Sequence, residues 1–260
     1  MAEWCALAWI VWTCVHVVQA SQVDKRFIFR STAGVEVQVT GNRYKRAVNK
    51  DMVGFNEEEK RALLARHNYL RSREGASDMM AMKWDEKLEK SAQVYSEKCI
   101  FEHSKNRENL AGYRYVGENL YAGTGEFDPP NVIQLFYDEK YNYSYDTGQC
   151  FISMCGHYTQ VVWSSSNFLG CGVKYCPVLQ GASTFDHGYI VVCHYGPGGN
   201  IQGRKPFTKG DKCTKCPAET KYCHKGMCVV RPQIGVSTHI HSTTYTLTLG
   251  VALLAVLCIL

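Results

Sequence analysis

The chain has 260 residues, a formal net charge of +5 at pH 7 and 13 cysteines. It contains no nucleic-acid-binding motif, no internal repeat and no low-complexity tract, which argues against nucleic-acid-binding and repeat proteins. Most of the length, residues 47–203, is consistent with one globular domain of ordinary size.

The N-terminal region has the features of a secretory signal. Residues 6–18 are apolar and are followed by VQA, a small-residue cleavage pattern, so residues 1–20 are predicted to be a signal peptide. An uncleaved anchor is the alternative, although a spanning helix needs about 20 apolar residues. Residues 21–46 end in the basic cluster RYKR and are either a propeptide or a solvated extension.

The C-terminal region resembles an anchor signal. Residues 247–260 are apolar, and small residues at 235–237 and a polar spacer at 238–244 precede them. This order predicts a GPI-anchor signal within residues 232–260, with a short transmembrane segment or a buried tail as alternatives. The protein is therefore expected to be extracellular, either secreted or attached to the outer face of the plasma membrane.

Ten cysteines remain when those of the two end segments, Cys5, Cys14 and Cys258, are set aside. An even number in a secreted chain predicts five disulfides. Four of the ten lie in residues 204–231, a piece too small to bury much core, so cross-links must hold it.

Charge is distributed unevenly between the two parts of the chain. Residues 204–231 carry 8 Lys or Arg against 2 Asp or Glu, whereas residues 47–203 carry 15 against 19. The short basic piece is predicted either to contact acidic glycans or lipid head groups or to be a merely solvated surface.

Three helices are predicted from the spacing of apolar residues. The first begins near Asn56, a good N-cap before three acidic residues, and the third begins at Asp128 with Pro129 in its first position. Strand-like runs follow at residues 168–175 and 189–195, and helices followed by strands predict an α+β fold. The stripes are Leu63, His67 and Leu70 in the first helix, Trp84, Leu88, Ala92, Tyr95 and Cys99 in the second, and Val132, Leu135, Phe136, Glu139 and Tyr143 in the third.

Glu139 is a carboxylate in an otherwise apolar helical stripe. An inward-facing carboxylate without a partner is costly, because it must raise its pKa or recruit a cation. The stripe therefore predicts a polar group opposite Glu139. The alternative is that Glu139 lies at the edge of the stripe and extends into solvent.

Six segments, in order along the chain, resemble motifs of the CAP superfamily of cysteine-rich secretory proteins, insect antigen-5 allergens and plant pathogenesis-related proteins. Each segment alone is modest evidence, but together they span nearly the whole globular region, and the glioma pathogenesis-related branch is the most similar. The segments are HNYLRSR (67–73), FEHS (101–104), GENLYAG (117–123), FYDEKYNY (136–143), CGHYTQVVW (155–163) and VVCHYGPGGNIQG (191–203).

This resemblance implies an α-β-α sandwich with a three-stranded antiparallel sheet, a CAP domain at residues 47–203 and a cysteine-rich, hinge-like module at residues 204–231. It also implies a central cleft lined by His103, Glu118, Glu139 and His157. The disulfides that it implies are Cys99–Cys176, Cys171–Cys193, Cys213–Cys223 and Cys216–Cys228, while Cys150 and Cys155 are predicted to close a tight loop.

Two imidazoles and one or two carboxylates suit Zn²⁺ or another divalent cation, with His103 and His157 as ligands and Glu118 and Glu139 nearby. The main hypothesis is a recognition module for an extracellular protein, glycan or sterol/lipid, acting in immunity, reproduction or signalling. The alternative is a zinc-dependent, protease-like hydrolase with Glu118 or Glu139 as general base. A third interpretation is a purely structural polar network.

The remaining polar positions have simpler predictions. His67 is predicted to be a core imidazole, His194 to be structural or at the surface, and His187 to be in solvent. Asn142 begins an N-glycosylation sequon, which predicts a surface position.

Overall fold

A computed structural model describes the backbone of residues 27–30 and 36–39, and residues 49–151, 154–182 and 186–230. The predicted signal peptide (1–20) and anchor segment (232–260) lie outside the described residues. Within residues 21–46, strands β1 (Phe27–Arg30) and β2 (Glu36–Val39) pair in antiparallel fashion. Among the described residues, no helix is both long enough and apolar enough to cross a bilayer.

The α-helices begin at capping side chains. Asn56 accepts a hydrogen bond from the Glu59 N–H at 2.9 Å, and the Glu59 carboxylate accepts from the Asn56 N–H at 3.0 Å, which forms a capping box. Asp128 caps the third helix and Pro129 opens it, as predicted. The helices are α1 (Glu57–Ser72), α2 (Glu86–Ser96), α3 (Pro129–Asp138) and α4 (Gly156–Val161), with 3₁₀ turns at Glu139–Asn142 and Ala218–Thr220.

The main sheet has four strands in the order β3 (Lys83–Trp84), β9 (Phe168–Cys176), β10 (Gly188–Gly196) and β6 (Gly117–Gly123). Its last three strands are antiparallel, as the family resemblance implies, and the two-residue strand β3 is added in parallel at one edge. The strands after β2 are β3 (Lys83–Trp84), β4 (Glu108–Leu110), β5 (Tyr113–Tyr115), β6 (Gly117–Gly123), β7 (Tyr143–Ser144), β8 (Gln149–Cys150), β9 (Phe168–Cys176), β10 (Gly188–Gly196), β11 (Tyr222–His224) and β12 (Met227–Val229).

Helices cover both faces of this sheet, which gives the α-β-α sandwich. Alternate residues of β9 and β10, such as Val173 and Val191, pack with apolar side chains of α1, α3 and α4, while Ile190 packs with α2 on the opposite face. A Cβ at Gly170 would lie 2.0 Å from the Glu89 nitrogen, so α2 rests directly on the backbone of β9.

Two predicted stripes extend further than their helices. Trp84 lies in β3, before α2, because the Asp85 side chain accepts hydrogen bonds from two N–H groups and caps the beginning of α2. Cys99 lies beyond the end of α2 and has a positive φ of 55°. Leu135 is 43% exposed, because Val132, Ile133 and Phe136 form the buried face of α3 instead. Tyr143 lies in β7 rather than in the helix.

All five predicted disulfides are present: Cys99–Cys176, Cys150–Cys155, Cys171–Cys193, Cys213–Cys223 and Cys216–Cys228. The third joins residues that lie directly opposite each other on β9 and β10. The last two cross-link the short basic piece internally.

The cysteine-rich piece packs against the rest of the protein. Phe207 and Met227 belong to the same apolar cluster as the main sheet. The Ser77 N–H donates to the Thr208 carbonyl at 2.8 Å, and the Lys215 N–H donates to the Ser77 carbonyl at 2.9 Å. The piece therefore shares the core of the protein.

A fully buried arginine joins three parts of the chain. Arg71, near the end of α1, makes five hydrogen bonds to the backbone carbonyls of Met80, Val161, Trp163 and Ser164. Burial lowers the pKa of Arg71 to about 9, so the guanidinium remains charged at pH 7. Three of the four carbonyls lie at or just after the C-terminal end of α4, where a cation is favourable.

Replacing Arg71 by methionine is expected to lower the free energy of unfolding by about 3–5 kcal/mol, because several buried carbonyls lose their donors. Arg73→Met removes an exposed guanidinium two residues away and should change stability by less than about 0.5 kcal/mol. Urea denaturation of both variants and the wild type checks this, and equal losses would contradict the role given to Arg71.

Candidate functional site

The first polar pair of the site joins the end of α3 to the beginning of α4. Glu139 follows the last residue of α3, and its carboxylate accepts from the His157 N–H at 2.9 Å and contacts His157 Nδ1 at 2.6 Å. Phe136 stacks on the imidazole with ring centroids 4.9 Å apart. Glu139 therefore has the inward partner that its stripe predicted, although its side chain remains 20% exposed.

The second pair joins the segment after α2 to the beginning of β6. The Glu118 side chain is fully buried and has three partners: His103 Nδ1 at 2.8 Å, the Ser104 N–H at 2.9 Å and His194 Nε2 at 3.1 Å. Burial alone would raise the pKa of Glu118, but hydrogen bonds from His103, His194 and Ser104 outweigh it and hold the pKa below its ordinary value.

His194 is a structural member of this site. It is 1% exposed, lies directly opposite Glu118 in the β10–β6 register, and its Nδ1 is 2.7 Å from Ser91 Oγ on α2. An ionised carboxylate only accepts hydrogen bonds, so His194 Nε2 carries the proton in this pair. The sequence did not reveal this role, but strand alternation contained a signal, since His194 must face away from the disulfide-bonded Cys193.

Successive side chains of the edge strand β6 contact the two pairs. Glu118 points towards α2, whereas the next residue, Asn119, donates to the His157 carbonyl at 3.1 Å and to Tyr195 Oη at 3.2 Å. His67 Nε2 lies 3.0 Å from the same hydroxyl. Burial lowers the pKa of His67 to about 3, so this imidazole is neutral and belongs to the core, as predicted.

His187 differs from the site histidines. Its side chain is 56% exposed and its Nδ1 lies 2.7 Å from the exposed carboxylate of Asp186, which agrees with the predicted solvent position. Asn142 ends a 3₁₀ turn and is half-buried, and its glycosylation stays a prediction.

The geometry restricts how the four side chains can bind a cation. Both Nδ1 atoms contact carboxylates, and neither Nε2 atom of His103 or His157 has a hydrogen-bond partner among the described residues. Among the described residues, one group brings three potential metal-ligand atoms within 4.8 Å of one another, and it consists of the sulfurs of Cys213, Cys216 and Cys228. These sulfurs are oxidised in disulfides. Around these histidines, therefore, the described residues offer a cation the free Nε2 of each imidazole and no cluster of three ligand atoms.

The same contacts bear on the hydrolase hypothesis. Glu118 has a lowered pKa and three hydrogen-bond partners, so it is a weak base near neutral pH. Glu139 binds the His157 N–H and contacts the imidazole through separate oxygens. Both candidate general bases are thus occupied in positioning histidines.

A cleft of about 530 Å³ lies beside the second pair. Its wall includes His103, His194 and Ser91, together with Tyr95 and Leu110. This volume is within the range of small-molecule sites in proteins.

A sequence model of the CAP family, described as the cysteine-rich secretory protein family, matches residues 64–195. This match includes all four residues of the two polar pairs. The chain belongs to the CAP family. Proteins of this family are typically secreted, which supports an extracellular location.

Similar CAP proteins include peptidase inhibitor 16 of Mus musculus and GLIPR1-like protein 1. The chain is 40% identical to the former over 67% of its own length, but this covers only 34% of that protein. It is 41% identical to human GLIPR1-like protein 1 over 59% of the chain and 63% of that protein, and 38% identical to the mouse protein over 75% and 82%. These relatives belong to the glioma pathogenesis-related branch, as predicted.

Solved structures agree with the fold. NaASP2, whose crystal structure contains Zn²⁺, is 31% identical with a TM-score of 0.52, over 67% of this chain and 97% of that chain. Na-ASP-1 is 25% identical with a TM-score of 0.52, over 70% of this chain and 52% of that chain.

Glu118→Gln is expected to lower the free energy of unfolding at pH 7 by about 2–4 kcal/mol, because the amide cannot satisfy three donors as the carboxylate does. The pKa of Glu118 is lowered in the folded state, so its contribution is present above pH 4.5 and is lost as the pH falls below that value. The difference between wild type and variant should therefore shrink on acidification.

Urea denaturation between pH 3 and pH 7 measures this difference. Glu102→Gln, which alters an exposed carboxylate next to His103, is the matched control and should behave like the wild type. A deficit of Glu118→Gln that stayed constant with pH would disprove the assignment.

Proposed function

We propose that this CAP protein is an extracellular recognition module in which His103 and His157 bind a divalent cation, such as Zn²⁺, through Nε2. The observation that carries the proposal is that each Nδ1 contacts a glutamate, Glu118 or Glu139, while each Nε2 has no partner among the described residues. A carboxylate on one ring nitrogen is the usual support of a metal-binding histidine, because it fixes the ring and raises the basicity of the other nitrogen.

Both histidines have accessible side chains, at 55% for His103 and 20% for His157, so solvent and ligands can reach them. Their carboxylates are held in turn, since Glu118 is buried and Glu139 also binds the backbone of α4. The related protein NaASP2 was crystallised with Zn²⁺, which supports a metal-binding capacity in this fold.

In this proposal the cation contributes to binding rather than to turnover. A divalent cation with two protein ligands keeps coordination positions for oxygen atoms of a partner. The cleft beside His103 has room for part of an extracellular protein, glycan or sterol/lipid. Attachment of the protein to the outer face of the plasma membrane through residues 232–260 remains part of the proposal.

Calorimetric titration with ZnCl₂ tests the metal site. The wild type should bind one equivalent, and His103→Ala and His157→Ala should each weaken binding at least about 10-fold, since each removes one of two protein ligands. His187→Ala removes an exposed imidazole that also pairs with a carboxylate, and it should leave zinc affinity unchanged.

The same titration separates the competing interpretations. Absence of zinc binding by the wild type, together with a lower melting temperature of His103→Ala, would identify the pairs as a structural network and overturn the proposal. Equal zinc affinity in all four proteins would place the metal elsewhere.

A further inference from the structure

The cysteine-rich piece presents an array of exposed cations. Within residues 204–230, all seven Lys and Arg side chains belong to exposed residues, and only two acidic residues, Asp211 and Glu219, accompany them. Among the described residues, only one of these seven cations forms an ion pair, Lys209 with Asp146 at 3.3 Å. The seven are Arg204, Lys205, Lys209, Lys212, Lys215, Lys221 and Lys225.

Backbone contacts gather part of this array around residues 72–77. Lys209 forms a β-bridge with Ala76, the Lys215 N–H donates to Ser77, and Lys212 Nζ donates to the Ser72 carbonyl at 2.6 Å. The exposed guanidinium of Arg73 lies on the same segment. Four cationic residues from two parts of the chain therefore lie on neighbouring segments.

A fifth cation extends this group. Lys205 Nζ lies 4.6 Å and Lys209 Nζ 4.1 Å from the centroid of the Tyr145 ring, so both ammonium groups are at the turn between β7 and β8. Lys205 also donates to the Asp146 carbonyl at 3.1 Å. We call Arg73, Lys205, Lys209, Lys212 and Lys215 the basic surface.

The nearby carboxylates neutralise little of the basic surface. Glu74 is buried and binds Lys140 and Tyr137, and Asp78 accepts from the backbone and hydroxyl of Thr208. Asp146 is 90% exposed and Asp211 is also exposed, and exposed ion pairs are weak. The basic surface therefore keeps most of its positive charge.

We propose that the basic surface binds an acidic, sulfated polysaccharide chain. Five disulfides place the protein in an oxidising extracellular environment, where a linear polyanion is the partner that suits cations spread over several short segments. A membrane surface suits it less, because stable interfacial binding combines electrostatic attraction with burial of apolar area. Within residues 204–230, the only large apolar side chains that are exposed are Tyr222 and Val230.

Heparin serves as the probe, and its affinity for the full chain is measured as a function of NaCl concentration. The triple variant Lys209→Gln, Lys212→Gln, Lys215→Gln should bind at least about 10-fold more weakly at 0.15 M salt. Each removed lysine means that binding releases about one counterion fewer. The magnitude of the slope of log affinity against log salt should therefore fall by about 2–3 units.

The control variant Lys83→Gln, Lys87→Gln, Lys90→Gln changes the net charge by the same amount at exposed positions on β3 and α2. It should keep the affinity and the salt slope of the wild type. Thermal unfolding of both variants establishes that they fold. Equal weakening by both triple variants would show an effect of net charge alone and would overturn the proposal.

Two further measurements distinguish the partner class. Chemically desulfated heparin should bind much more weakly than heparin, because the cations recognise sulfate groups. Vesicles containing phosphatidylserine should bind the wild type much more weakly than heparin does, because few exposed apolar side chains accompany the lysines. Vesicle binding that depends on these lysines, with heparin binding unaffected, would assign the surface to lipid and disprove the polysaccharide proposal. Neither result involves zinc, so it is independent of the metal site.

Discussion

The position of α4 depends on opposite charges at its two ends. The Glu139 carboxylate accepts from backbone N–H groups at its beginning, and the Arg71 guanidinium donates to carbonyls at its end. Both contacts satisfy groups that a short helix cannot pair internally, and their signs match the helix dipole. Because Arg71 also binds Met80, the helix that carries His157 is fixed to α1 and to the chain before the sheet. The orientation of the site histidine follows from these contacts.

The edge strand β6 then relates the two polar pairs. Its successive residues Glu118 and Asn119 point to opposite faces, so one contacts His103 and His194 while the other contacts the backbone of His157. Most of this network is buried and hydrogen-bonded, which limits its freedom to rearrange. The imidazoles of His103 and His157 and the Glu139 carboxylate reach solvent, and there the protein can contact other molecules.

Much of this arrangement is predictable from the sequence. Capping residues such as Asn56 and Asp128 located helix starts correctly, because caps act locally. Family motifs predicted four of the five disulfides and the pairing of two histidines with two glutamates. Positions that depend on contacts between distant parts of the chain were harder to predict. Trp84 continued a helical stripe but pairs with β9, and Leu135 fitted a stripe that packing assigned to Ile133. Strand alternation indicated that His194 faces away from Cys193, but its partner Glu118 follows from the register between β10 and β6, which depends on distant contacts.

The shared core of the cysteine-rich piece has a consequence for selectivity. Since Phe207 and Met227 are packed among the side chains of the main sheet, the piece cannot swivel independently of it. The distance between the basic surface and the cleft beside His103 is consequently constant. If one elongated molecule occupied both places, its span would have to match this fixed separation.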